Sequence, residues 1–194
     1  MSGFGRQPWI RAGLVLAVLV AVVGCSGSGT NPTGSANTVL VGKAIFPPQA
    51  GGGAVKNAPF IVLNLDNSQT EFSGSTDNGG TYSAAVAVQN AVAVIVNGTT
   101  ATGQSVRVSG LLNPSQQGRQ KDFNGTTDIA CQAGVTAVGQ GAIRGSDLGA
   151  TRIQNLEAAA ALVVGQVNFF DKASIAAAAN QVRTLTGDGA HPPA

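Results

Sequence analysis

The chain has 194 residues, of which 10% are charged and 5% aromatic. Soluble chains typically carry about 25% charge, so any core here is built from small aliphatic side chains. The 11 basic and 9 acidic residues suggest a mild basic excess, but Arg6 and Arg11 precede Cys25 with no acid beside them, leaving nine bases against nine acids. A balanced remainder lacks the footprint that nucleic acid or an anionic lipid surface would demand. Nucleic acid is therefore excluded as an expected partner.

Met1 to Arg11 is a short basic segment, and the thirteen residues Ala12 to Gly24 form an apolar run. A membrane-spanning helix needs about 20 such residues, so the layout predicts a signal peptide over residues 1–24. The run ends in Val22-Val-Gly-Cys25, which resembles the lipobox of bacterial lipoproteins: an aliphatic residue, two small ones, then Cys. Val23 is larger than the usual residue at its place. The resemblance implies cleavage before Cys25, lipidation of Cys25, and attachment to a membrane through that lipid. Several acyl chains anchor durably where one does not. Ser26, where Asp would signal retention, resembles the outer-membrane sorting pattern of Gram-negative bacteria. Residues 25–37, rich in Gly, Ser and Thr, read as a flexible tether.

From Thr38 the hydrophobic period becomes two. Leu40, Gly42 and Ala44 alternate with Val39, Val41 and Ile45. Ile61, Leu63 and Leu65 share one face of a second strand, and Phe72 lies in a third. Tyr82, Ala84, Val86 and Val88 mark a fourth, Val92, Val94 and Val96 a fifth, and Val106 with Val108 a sixth. At the centre lies Ser75-Thr-Asp-Asn-Gly-Gly-Thr-Tyr-Ser83, where Asp77, Asn78 and two glycines supply turn chemistry. Short strands with turns at this frequency predict a β-sandwich over residues 38–112.

Val41-Gly-Lys-Ala-Ile45, Ala58-Pro-Phe-Ile-Val-Leu63 and the central turn follow one another as in a known family. The stretch resembles the carboxypeptidase regulatory-like domain, a transthyretin-like, Ig-like sandwich related to the Cna B-type repeats of surface proteins. Thr76, Asp77, Gly80 and Tyr82 match its "Thr-Asp-x-x-Gly-x-Tyr" core, while Pro59-Phe60 departs from the usual approach to the preceding strand. The resemblance implies a scaffold that serves as spacer, adhesive module or carbohydrate- or peptide-facing accessory. Some Cna B-type relatives form a Lys–Asn isopeptide beside a buried acid. Lys43, Asn97 and Glu71 are the residues such a bond would recruit, but residues 83–112 lack the late-strand acid, so none is expected.

Asn113 to Gly125 is mostly polar and aperiodic and reads as a linker. Beyond it the period becomes about 3.6, predicting three helices over 126–187 and a frayed tail over 188–194. The first would be capped by Thr126, Thr127 or Asp128 and carry the stripe Cys131, Val135, Val138, Ala142. Gly134, Gly139 and Gly141 each weaken it by about 1 kcal/mol relative to Ala. The second, capped by Ser146 or Asp147, carries Ile153, Leu156, Ala160, Val163 and Val167. The third runs from a cap at Asp171, through Ile175, Ala178, Val182 and Leu185, to a stop at Gly187. These stripes are too thin to stand alone, and need a sheet face or a second copy of themselves to cover. The fold class is α+β: an N-terminal sandwich followed by a small helical region.

Chemistry-bearing clusters are scarce. His191, the one histidine, has no Cys or second His nearby to share a metal. No carboxylate pair is nominated by spacing, and Asp66-Asn-Ser and Asp77-Asn-Gly-Gly read as turns rather than calcium loops. Cys131 sits on an apolar stripe and reads as a core residue. No catalytic residue, cofactor or metal site is therefore assigned, and lipidation at Cys25 is the one site. The expected function is that of a non-enzymatic, lipid-anchored envelope protein whose sandwich is a structural, spacer or binding module. The alternative is an accessory polymer- or peptide-binding subunit of an envelope enzyme or transport system. Binding would fall to the loops Pro47–Val55, Asp66–Gln69 and Thr99–Gln104. The partner, protein or carbohydrate, is left open, as is self-association through the helices.

Overall fold

The computed structural model describes residues 37–115 and 120–188. Cys25, His191, residues 1–24 and all but the last residue of the 25–37 tether lie outside them. Six strands in two antiparallel sheets precede three helices, the α+β order that the periodicities predict. Strands β1 (Thr38–Lys43) and β4 (Thr81–Val86) pair in one sheet. In the other the order is β3 (Thr70–Ser75), β2 (Pro59–Asn64), β5 (Val92–Thr99), β6 (Ser105–Leu112). Helices α1 (Gly125–Gly139), α2 (Ala150–Val163) and α3 (Lys172–Thr186) form a further layer.

Alternation decides which layer each side chain joins. Leu40, Phe60, Val62, Tyr82, Val94 and Val108 fill the space between the sheets. Their neighbours on the opposite face of the larger sheet, Leu65, Ala93 and Leu111, meet Ile129, Leu148, Ile153 and Leu156 in a second core. Strands apolar on both faces are covered on both faces. The helices thus find their cover in the outer face of the larger sheet.

The central turn is built as its residues suggest. The Asp77 carboxylate accepts from Gly79 N–H (2.7 Å) and Thr81 N–H (2.8 Å), closing the turn over Gly80, whose φ is +78°. Hydrogen bonds led by the Thr81 amide hold its pKa below the usual carboxylate value. Thr76 is buried; its hydroxyl accepts from Ala58 N–H (2.9 Å) and donates to the Val55 carbonyl (2.6 Å). Tyr82 is fully buried and stacks on Phe123, with ring centroids 4.8 Å apart.

The connector is held against both sheets. Residues 120–123 run parallel to β1, with Lys121 N–H donating to Val41 O (3.0 Å) and Phe123 N–H to Lys43 O (2.7 Å). The Tyr82 hydroxyl donates to Lys121 O (2.7 Å), while Lys121 Nζ donates to Leu111 O (3.0 Å) and pairs with Glu157 on α2. One residue thereby joins the small sheet, the edge strand of the large one and the helical layer. Two glycines make room for it. A Cβ on Gly42 would lie 1.8 Å from Lys121 O, and one on Gly110 would lie 2.1 Å from Phe123 Cδ1. Glycine inside a strand often marks such a close approach.

The helix starts differ from expectation in two cases. Asn124 caps α1, accepting from Thr126 and Thr127 N–H while its own N–H donates to the Thr127 hydroxyl (2.8 Å). This capping box puts Thr127 in the first turn and carries Asp128 inside the helix. Ser146 and Asp147 form a separate 3-10 turn, and α2 begins only after Gly149. Asp171 and Gly187 bound α3 as predicted, the latter at φ +76°. Asp188, just beyond, is buried and accepts from Arg152 Nη2 at 3.0 Å.

Candidate functional site

The residues singled out by sequence divide by fate. Lys43 is exposed at the end of β1, and Asn97 lies on β5 in the other sheet. Glu71 accepts from the Asn64 side chain at 2.9 Å. Lys43 is therefore not the desolvated amine that isopeptide chemistry requires. Asp66 accepts from the Asn90 amide and Asp77 caps its own turn, so both act as turn residues. Cys131 is buried on α1 with a free thiol, and burial pushes its pKa up to about 12. A thiol so far from ionising is a poor nucleophile.

A trench forms where the helical layer stops short of the end of the β5–β6 hairpin. Its volume, about 590 Å³, lies in the range of small-molecule sites. One wall is the row Gln132 and Thr136 on α1 and Gln140 at its C-cap, spaced by four and so stacked on one helix face. The opposite wall is Lys172, Ala176 and Asn180 on α3, again spaced by four, with Ile175 between them. Asn97, Ser105 and Arg107 close the strand end, and Phe169 and Phe170 close the approach to α3.

Strand alternation explains the floor. Asn97 and Arg107 are directly paired across β5 and β6, and Ile95 pairs with Ser109 on the same face. Toward the sheet centre that face is apolar and helix-covered; toward the hairpin it turns polar and open. Of the three expected binding loops, Thr99–Gln104 is the one adjoining this end, because it is the β5–β6 hairpin turn. The helical half of the trench falls in the region read as core alone.

Asp128 stands behind Arg107. It is fully buried, its Oδ1 accepting from the Ser109 hydroxyl (2.6 Å) and facing Arg107 Nε at 3.6 Å. Its Oδ2 has no hydrogen-bond partner. Burial raises its pKa to about 6, with Arg107 and Ser109 offsetting part of the rise. Asp128, Gln132 and Thr136 on α1 and Gln140 at its C-cap form a single i, i+4 series that passes from buried to exposed. That series was the sequence signal for the site, masked because Asp128 read as a candidate cap.

No family model and no curated protein sequence matches the chain. Among solved structures, the chain is similar to a 9R-lipoxygenase from Cyanothece PCC8801 at 10% identity and a TM-score of 0.30, over 69% of this chain. The chain spans 26% of that chain's length, and a likeness this slight carries no argument about fold or activity.

Proposed function

We propose that the protein is a non-enzymatic, lipid-anchored component of a bacterial cell envelope, its folded domain acting as a structural, spacer or binding module. The observation that carries this reading is Val22-Val-Gly-Cys25 at the end of a basic and then apolar leader. Thr38 opens β1 thirteen residues after Cys25, so a Gly/Ser-rich tether would separate lipid from domain. Ser26 directs the anchor to the outer membrane in a Gram-negative cell. The module role draws on the resemblance to the carboxypeptidase regulatory-like sandwich. Thr76, Asp77 and Tyr82 all spend their polar atoms on the scaffold.

A second reading is favoured by the trench: an accessory subunit that binds a ligand for an enzyme or transporter. Both readings share the anchor, which mass spectrometry of the native protein tests. The expected result is loss of residues 1–24 and acyl mass on a Cys25 terminus, and no acyl mass on a Cys25→Ala chain. A native chain that keeps its leader, or begins at an unmodified Cys25, overturns the anchor.

A further inference from the structure

The trench has a definite electrostatic character. Among the described residues, Arg107 and Lys172 are the charged ones that line it, and no acid does. The nearby acid Asp171 is turned to cap Ala173 N–H (2.9 Å). Lys172 forms no ion pair among the described residues. Arg107 faces Asp128 through Nε, yet its side chain is 37% exposed and lines the trench. With Asp128 ionised, the three groups together leave one net positive charge. Such a site matches a monoanion; a phosphate dianion would find too little positive charge. Arg presents a planar fork suited to a carboxylate, and buried support from Asp128 fixes where that fork lies.

The rest of the lining is chemically mixed. Phe169, Phe170 and Ile175 supply an apolar wall, and Phe170 remains 40% exposed although it is a large aromatic. The row Gln132, Thr136, Gln140 faces that wall with neutral donors and acceptors. A few placed polar groups around an apolar wall are the usual makings of a small-ligand site.

We propose that this trench binds a small monocarboxylate with an apolar body, its carboxylate held by Arg107 and Lys172 and its body laid against Phe170 and Ile175. The proposal deepens the reading of the domain as a binding module and is independent of the anchor at Cys25.

The test uses the full chain in detergent, with 3-phenylpropionate as probe, its neutral amide as control and maltotriose as a carbohydrate comparison. Ligand binding to the folded state raises the melting temperature with concentration. The carboxylate is expected to raise it in the millimolar range, and the amide and the sugar are expected not to. Lys172→Gln, at an exposed position away from the buried pair, is expected to weaken the carboxylate effect at least tenfold. Arg107→Met is expected to abolish it, and Phe170→Ala to weaken it while the amide stays inert. No shift with the carboxylate, or equal shifts with acid and amide, overturns the proposal. A carboxylate shift that survives both Lys172→Gln and Arg107→Met also overturns it, while leaving a binding module whose site lies elsewhere.

Discussion

At the scale of single residues, Asp128 is where the fold carries a cost. A carboxyl group raised from 3.8 to about 6 keeps its proton in the folded state after the unfolded chain has released it. Between those values the folded state binds more protons, so stability falls as pH rises from about 4 to about 6 and is level above. At about 1.36 kcal/mol per unit, the fall is roughly 1–3 kcal/mol. Asp77, whose pKa is lowered, acts in the opposite sense, so the diagnostic quantity is the difference between wild type and Asp128→Asn. We expect urea midpoints of the variant to gain on wild type steadily between pH 4 and pH 6 and to run parallel to it from pH 6 to pH 8. A difference that shrinks over the lower interval would show that Asp128 ionises easily in the folded protein. The sequence offers Asp128, with Thr126 and Thr127, as a candidate helix cap, where a carboxylate is welcome. What it could not reveal was Asn124 taking the cap first and turning Asp128 inward.

At the scale of elements, the connector shows where periodicity runs out. Residues 120–123 hold the two sheets together through backbone hydrogen bonds to β1 and one aromatic ring. Backbone pairing leaves no hydrophobic period, and a lone Phe123 among polar residues does not announce a strand. Gly42 and Gly110, each inside a strand, were the available sign of close approach. The strands themselves were legible because alternation follows directly from pleating, and the turn at Asp77 because its side chains act locally. Phe123→Ala is expected to cost about 3–5 kcal/mol, from a cavity against Tyr82, and Gly110→Ala about 1–3 kcal/mol from overpacking. The two should not add. In the double variant the new methyl at Gly110 enters the space vacated by the ring, so its urea-derived cost is expected to fall at least 1 kcal/mol below the sum. Strict additivity would mean that Phe123 does not lie over Gly110.

At the scale of the molecule, the larger sheet is a shared wall. Its inner face builds the core with β1 and β4, and its outer face builds the core with the three helices. The sequence carried part of this arrangement: Ala91 to Val96 is apolar at every position, which a sheet open to water on one face would not show. It also carried the thinness of the helical stripes. It offered the sheet face as a cover only beside a second copy of the helices, and Gly134 reads as a weak point in a helix rather than as a contact. A Cβ there would lie 2.7 Å from Leu111 Cδ1, so α1 packs closely on β6 at this glycine. Each core depends on the wall, and neither β1–β4 nor the helices retain their cover if it is lost. Leu111 belongs to the core shared with the helices, and Leu111→Ala is expected to cost about 2–5 kcal/mol. If the wall couples the layers, that loss is felt by the strands as strongly as by the helices. Amide hydrogen exchange under increasing urea should then show β4 and α3 losing protection at the same concentration, in wild type and, at a lower concentration, in Leu111→Ala. Protection lost from α3 while β4 keeps its wild-type value would make the helices a separable unit, and the sandwich a domain that stands without them.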